Sequence, residues 1–153
     1  MRRPIPIAVW IAVAGLAAVI VLQASLALLF ARAGQVGWAM YAFAALLWAL
    51  LLTGLCRGSR LAWLWGRYIT VILGAVVSAT VVLGFLRHNV GPTVLALSLL
   101  GIALPLFTAG FALGRPSAYA FYALVCPTCS ARTGLGADFL FRQARCRICK
   151  TVW

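Results

Sequence analysis

The chemistry open to this sequence is concentrated in four cysteines. Cys126-Pro127-Thr128-Cys129 is followed, sixteen residues later, by Cys146-Arg147-Ile148-Cys149. A C-x-x-C segment is a tight turn that aims two sulfurs at one point. Two such turns supply four thiolates in a tetrahedron, the donor set that suits zinc, and the spacing lies inside the window for such sites. Cys126, Cys129, Cys146 and Cys149 are therefore the expected ligands of one structural Zn2+. Four protein thiolates leave no open position for water or substrate, so the site holds the chain together and catalyses nothing. The competing reading is a pair of redox-active dithiols. Against it, no thioredoxin-like βαβ pattern surrounds either pair. Residues 133–138 read as a loop and 139–142 as a hairpin strand, with Val152 and Trp153 returning beside it.

Little else in the chain could react. Asp138 is the only carboxylate side chain, which excludes paired-carboxylate catalysis and a carboxylate cage for calcium or magnesium. His88 is the only histidine and lacks a partner for haem or metal; it reads as a solvated loop residue. Cys56 stands alone and reads as a free thiol. No enzyme is expected.

The elements that position the cysteines are of an unusual kind. The chain of 153 residues is 65% apolar and 9% charged, whereas soluble domains lie near about 45–50% and 25%. Four stretches, 7–30, 36–55, 69–86 and 94–113, contain no charged residue and match the roughly 20 residues needed to cross a bilayer. They are apolar on all sides, and too little polar chain remains to cover them as core helices of a soluble protein. Short joints force neighbours to be antiparallel, so the expected fold is an all-α, up-down transmembrane four-helix bundle over residues 1–114. An interfacial linker, 115–125, leads to a small C-terminal β-hairpin zinc ribbon, 126–153. The first stretch is too long for the h-region of a signal peptide, about 7–15 residues, and reads as a retained helix.

Positive charge orients such a bundle. With the N-terminus inside, eleven basic residues fall on the cytoplasmic side and two, Arg32 and Arg87, outside. Both termini are expected in the cytoplasm, and compact loops favour a multi-pass protein of a bacterial inner (plasma) membrane. Trp63, Trp65, Tyr119, Phe121 and Tyr122 read as anchors at headgroup depth, with Ser117 capping a short turn after Pro116.

Proton relays, pumps and voltage sensors carry ionisable groups within the bilayer; these stretches offer Ser, Thr and Gln23 instead. Hydroxyls there bond to the preceding turn, and Gln23 is expected to bond across helices. Small residues at four-residue spacing, Gly74 with Ser78 and Gly110 with Gly114, read as packing seams within the bundle or between protomers of a homo-oligomer. Pro105 should bend the fourth helix.

The texts "CPTCSART" and "ARCRICKTVW" resemble the zinc-ribbon fingers built from two rubredoxin-type knuckles that occur as short modules in bacterial proteins. The resemblance covers about the last 28 residues and implies the same four zinc ligands. It departs from the pattern after the second cysteine of each knuckle, where Ser130 and Lys150 stand in place of a glycine that eases positive φ. The ribbon's Arg132, Arg142, Arg145, Arg147 and Lys150 are expected to face anionic lipid headgroups or a cytosolic protein partner; the patch is small for nucleic acid. The reading is a non-enzymatic membrane protein whose ribbon is an interaction or assembly module. A small transporter or channel accessory subunit and a thiol redox sensor are the alternatives.

Overall fold

The computed structural model of the chain describes residues 5–131 and 143–153. Four helices, α1 Ile7–Arg32, α2 Trp38–Cys56, α3 Arg60–Leu86 and α4 Pro92–Leu113, are long and apolar enough to cross a membrane. A short α5, Pro116–Phe121, follows. Large apolar side chains stay on the outside: Val21, Leu50 and Leu100 each expose 60% or more of their surface. Water would make that arrangement costly, at about 25 cal/mol per Å² of apolar surface, and lipid removes the cost.

The helix boundaries follow local chemistry. Helix α3 starts well before the apolar stretch at 69, because the Ser59 side chain accepts a hydrogen bond from the Ala62 amide and caps its first turn. The irregularity expected at Pro105 takes the form of a π-turn, Leu99–Ala103, just upstream of it. Proline has no N–H for the carbonyl one turn back, and its ring crowds that carbonyl; widening the turn relieves both. Helix α5 begins at Pro116, with Arg115 in the extended N-cap position. Ser117 therefore lies inside the turn and does not cap it, since the fixed φ of proline already suits the first helical position.

Small residues set the packing. Helix α1 buries Val9, Ala12, Leu16 and Val19, one face at helical spacing. On that helix a Cβ at Gly15 would stand 2.8 Å from the Pro105 carbonyl oxygen. Between α3 and α4, a Cβ at Gly110 would meet Val71 at 2.5 Å, and one at Gly74 would touch the Phe107 ring at 3.3 Å. Gly66 faces Leu113, so the contacts rise along α3 as they fall along α4. Ser78 turns its hydroxyl onto the Gly74 carbonyl of its own helix, 2.8 Å away, and Gly114 sits beside the Arg67 side chain. Thr70, fully buried, likewise donates to the Gly66 carbonyl.

At one end of the bundle, side chains from elsewhere reach the helix-end carbonyls. The Trp63 indole donates to the Leu113 carbonyl at the end of α4, 2.9 Å. The Tyr122 hydroxyl donates to the Leu55 carbonyl near the end of α2, 3.2 Å. Both rings are buried, so Trp63 and Tyr122 are internal caps and not the headgroup anchors their positions suggested. Trp65 remains half exposed. Arg60, the first residue of α3, donates to the carbonyls of Tyr122 (3.3 Å), Ala123 (3.1 Å) and Trp153 (3.1 Å), and the Trp153 indole donates to the Ala123 carbonyl, 2.8 Å. One guanidinium thus ties the bundle, the linker and the C-terminal module together. Its substitution, Arg60→Gln, should weaken that docking by on the order of 2 kcal/mol, the scale of a charged hydrogen bond. Amide hydrogen exchange checks it: faster exchange at 119–124 and 151–153, with the interiors of α1 and α4 unchanged.

Candidate metal centre

The C-terminal module is held by short backbone pairings. Arg145 and Val152 form an antiparallel bridge, and Ala144 and Trp153 exchange hydrogen bonds of 2.9 and 3.0 Å. Val152 and Trp153 therefore return beside 144–145. The strand expected at 139–142 lies outside the described residues, and no strand is present among those described.

Each C-x-x-C segment is a turn closed in the same way. The Cys126 amide bonds to the Ala131 carbonyl, 2.9 Å, and the Cys146 amide to the Thr151 carbonyl, 2.9 Å. In both, the residue after the second cysteine is left-handed: Ser130 at φ 55° and Lys150 at φ 61°. These are the two positions where a glycine was missing. The turn demands the conformation and the sequence meets it with side chains that strain there.

The two turns bring all four sulfurs within 4.8 Å of one another. Two sulfur contacts cross between the turns, Cys126 to Cys149 at 3.5 Å and Cys129 to Cys146 at 3.4 Å. Those distances are far longer than the S–S bond of about 2.0 Å. They approach the edge of roughly 3.8 Å that a tetrahedron of thiolates takes around a metal bonded at about 2.3 Å. Cys126 and Cys146 are buried, and Cys129 and Cys149 face solvent. The cluster could hold a metal ion.

The electrostatics of the four thiols are uneven. Hydrogen bonding with the Thr151 hydroxyl, 3.3 Å away, and with its amide holds Cys149 down at about 6. The amide of Cys149 lowers Cys146, helped by that of Ile148. At Cys129 the Ala131 amide also lowers the pKa, but contact with Cys146, desolvation and the two remaining sulfurs together push it up to about 12. Negative charge accumulates easily on one side of the cluster and resists completion at Cys129. A bound cation removes that resistance and displaces the proton, so metal affinity falls as pH falls. Thr151, two residues beyond the last cysteine, is a contributor that spacing alone did not single out.

Of the expected basic face, Arg145, Arg147 and Lys150 are exposed, and Ile148 between them exposes 74% of its surface. Arg132 and Arg142 lie outside the described residues. Cys56 is an exposed free thiol, and His88 is exposed at φ 58° in the joint between α3 and α4. The cross-helix bond expected of Gln23 is not made: its Oε1 is buried without a partner among the described residues.

No protein-family model matches the chain, and neither does any curated protein or solved structure.

Relaxing the left-handed positions tests the turn geometry. Ser130→Gly with Lys150→Gly should slow metal transfer to a chelator roughly two- to fivefold, the net of relieved strain and a freer unfolded chain. Ser130→Val, β-branched at positive φ, should accelerate it. Equal rates in all three would show that the turns are not strained.

Proposed function

We propose that the chain is a multi-pass inner-membrane protein, an up-down bundle with both termini in the cytoplasm. Its cysteine cluster holds one structural Zn2+ in a ribbon that serves as a cytosolic interaction module. The observation that carries this reading is the convergence of four sulfurs within 4.8 Å on two turns of matching hydrogen bonding and φ. Zinc is the natural occupant of a four-thiolate tetrahedron, having no redox chemistry and no d-electron preference to oppose it. A reducing cytoplasm keeps the thiols available for it, and the distribution of arginine favours that compartment.

An interaction role fits the module better than transport fits the bundle. The apolar stretches carry no Asp, Glu, Lys, Arg or His, so an ion or proton pathway would have no charged stations. The ribbon, by contrast, is seated on the bundle by Arg60 and turns Arg145, Arg147, Ile148 and Lys150 outward. An exposed apolar residue among cations is the composition of a contact surface for an acidic protein partner.

Purified protein should carry one zinc per chain, and Cys126→Ser should abolish it while the helical signal in circular dichroism persists. Enzyme reporters fused after Trp153 should be active only if they work in the cytoplasm. Reactive thiols without zinc would favour the redox reading, and an exported reporter would reverse the orientation.

A further inference from the structure

We propose a binding site for one anionic diacyl phospholipid at the end of α3 and α4 nearest the cysteine cluster, with its phosphate between Arg67 and Arg115 and one acyl chain on each side of Phe111. The site rests on the reading that the chain spans a bilayer and is independent of zinc.

Two clefts carry the argument. One, of about 590 Å³, opens between α3 and α4 and is lined by Arg67, Val71, Gly110, Phe111, Gly114 and Arg115. The other, of about 670 Å³, lies against α1 and is lined by Ile7, Ile11, Thr108, Phe111, Arg115 and Ser117 among others. Both fall in the range of built ligand sites, about 300–1,000 Å³. Phe111 stands between them as a ridge, 70% exposed, and Arg115 borders both. The walls are chiefly apolar. The glycines bare the backbone at the floor of the first cleft, where a side chain at Gly110 would collide with Val71.

The cations are prepared for an anion. The Arg67 guanidinium donates to the Tyr119 hydroxyl and lies 5.6–5.7 Å from the centres of the Trp63, Tyr68 and Tyr119 rings. A half-buried cation fixed this way has lost rotamer freedom before any ligand arrives. No acidic side chain answers its charge among the described residues; the chain's one carboxylate side chain, Asp138, lies outside them. Arg115, in the extended N-cap position of α5, brings a second cation to the same cleft. A phosphate accepts from guanidinium groups in a geometry they match well. The occupant is a lipid and not a soluble phosphate because both clefts extend the site along apolar helix faces that a small anion would leave empty.

Native mass spectrometry of the full-length protein in detergent tests the site, with phosphatidylglycerol and phosphatidylcholine of identical acyl chains as probes. The wild type should retain one phosphatidylglycerol about tenfold more tightly than phosphatidylcholine, the equivalent of one charged hydrogen bond. Arg67→Gln with Arg115→Gln should bring the two lipids level, Arg57→Gln should match the wild type, and excess inorganic phosphate should not displace the lipid. If the double variant loses its fold, the exposed Arg115→Gln alone must weaken phosphatidylglycerol retention. Equal retention of both lipids by the wild type, or an equal loss in Arg57→Gln, overturns the proposal. Displacement by inorganic phosphate would make it a soluble-anion site and overturn it as well. Zinc content, measured in parallel, separates failure here from failure of the ribbon reading.

Discussion

Every helix ends with carbonyl groups that have no partner within the helix, and the end of this molecule that carries the cysteines is organised around satisfying them. Trp63 answers α4, Tyr122 answers α2, and Arg60 answers α5 and Trp153 together. Each donor comes from a different element than the one it caps. The hydrogen bonds that complete the helices are therefore also the bonds that fix their neighbours. Burial raises the pKa of the Tyr122 phenol well above its ordinary value, so it stays a proton donor at neutral pH. Arg60 cannot lose its charge at all. The caps are insensitive to pH where the thiols are not.

The remainder of the bundle needs less specification. Lipid-facing surfaces ask only that a side chain be apolar, which is why long runs of Leu, Val and Ala could be read directly as spans. Contact between helices asks for small size at particular positions, and there reading was partial. Gly74 and Gly110 stood out by spacing and do lie where α3 and α4 approach. Gly15 and Gly66 pack closely against other helices too; Gly15 has no small residue four places away, and Gly66, with Ala62 and Thr70 at that spacing, precedes the apolar stretch that begins at 69. Trp63 and Tyr122 were legible as interfacial aromatics and not as caps, because a ring beside arginines has the same sequence signature whether it faces headgroups or a carbonyl. What decides between those fates is the position of a helix end many residues distant in the chain.

The cysteine cluster was more legible, since metal coordination fixes residue type and local spacing together. Even the departure from pattern at Ser130 and Lys150 proved informative: the residues differ, yet the left-handed backbone is kept. A left-handed non-glycine costs about 1–2 kcal/mol, and two of them burden a module of few residues with little core of its own. A coordinated ion would offset such a cost by a wide margin, since structural zinc contributes on the order of 10 kcal/mol or more in small metal-folded modules. A module stabilised by such an ion would tolerate strain in these turns, because its stability would not come from the turns. Arg60 and the amide donors of Thr151 and Ile148 were not visible in the same way, because hydrogen bonds to backbone and sulfur are available to almost any residue.

Docking and the convergence of the four sulfurs share one residue. Trp153 exchanges backbone bonds with Ala144, just ahead of Cys146 in the chain, and at the same time offers its carbonyl to Arg60 and its indole to Ala123. The pairing that sets the second C-x-x-C turn is thus continuous with the contact that seats the module on α3. A module ordered by a bound ion would present Trp153 in one conformation, and Arg60 would meet it without further ordering cost. An unordered one would have to give up that freedom on docking, at roughly 1–2 kcal/mol for each backbone residue fixed. Linkage requires the converse: whatever holds Trp153 against Arg60 also favours the arrangement in which the four sulfurs converge. The helical bundle is in this sense part of what brings the sulfurs together, although it contributes no cysteine to the cluster.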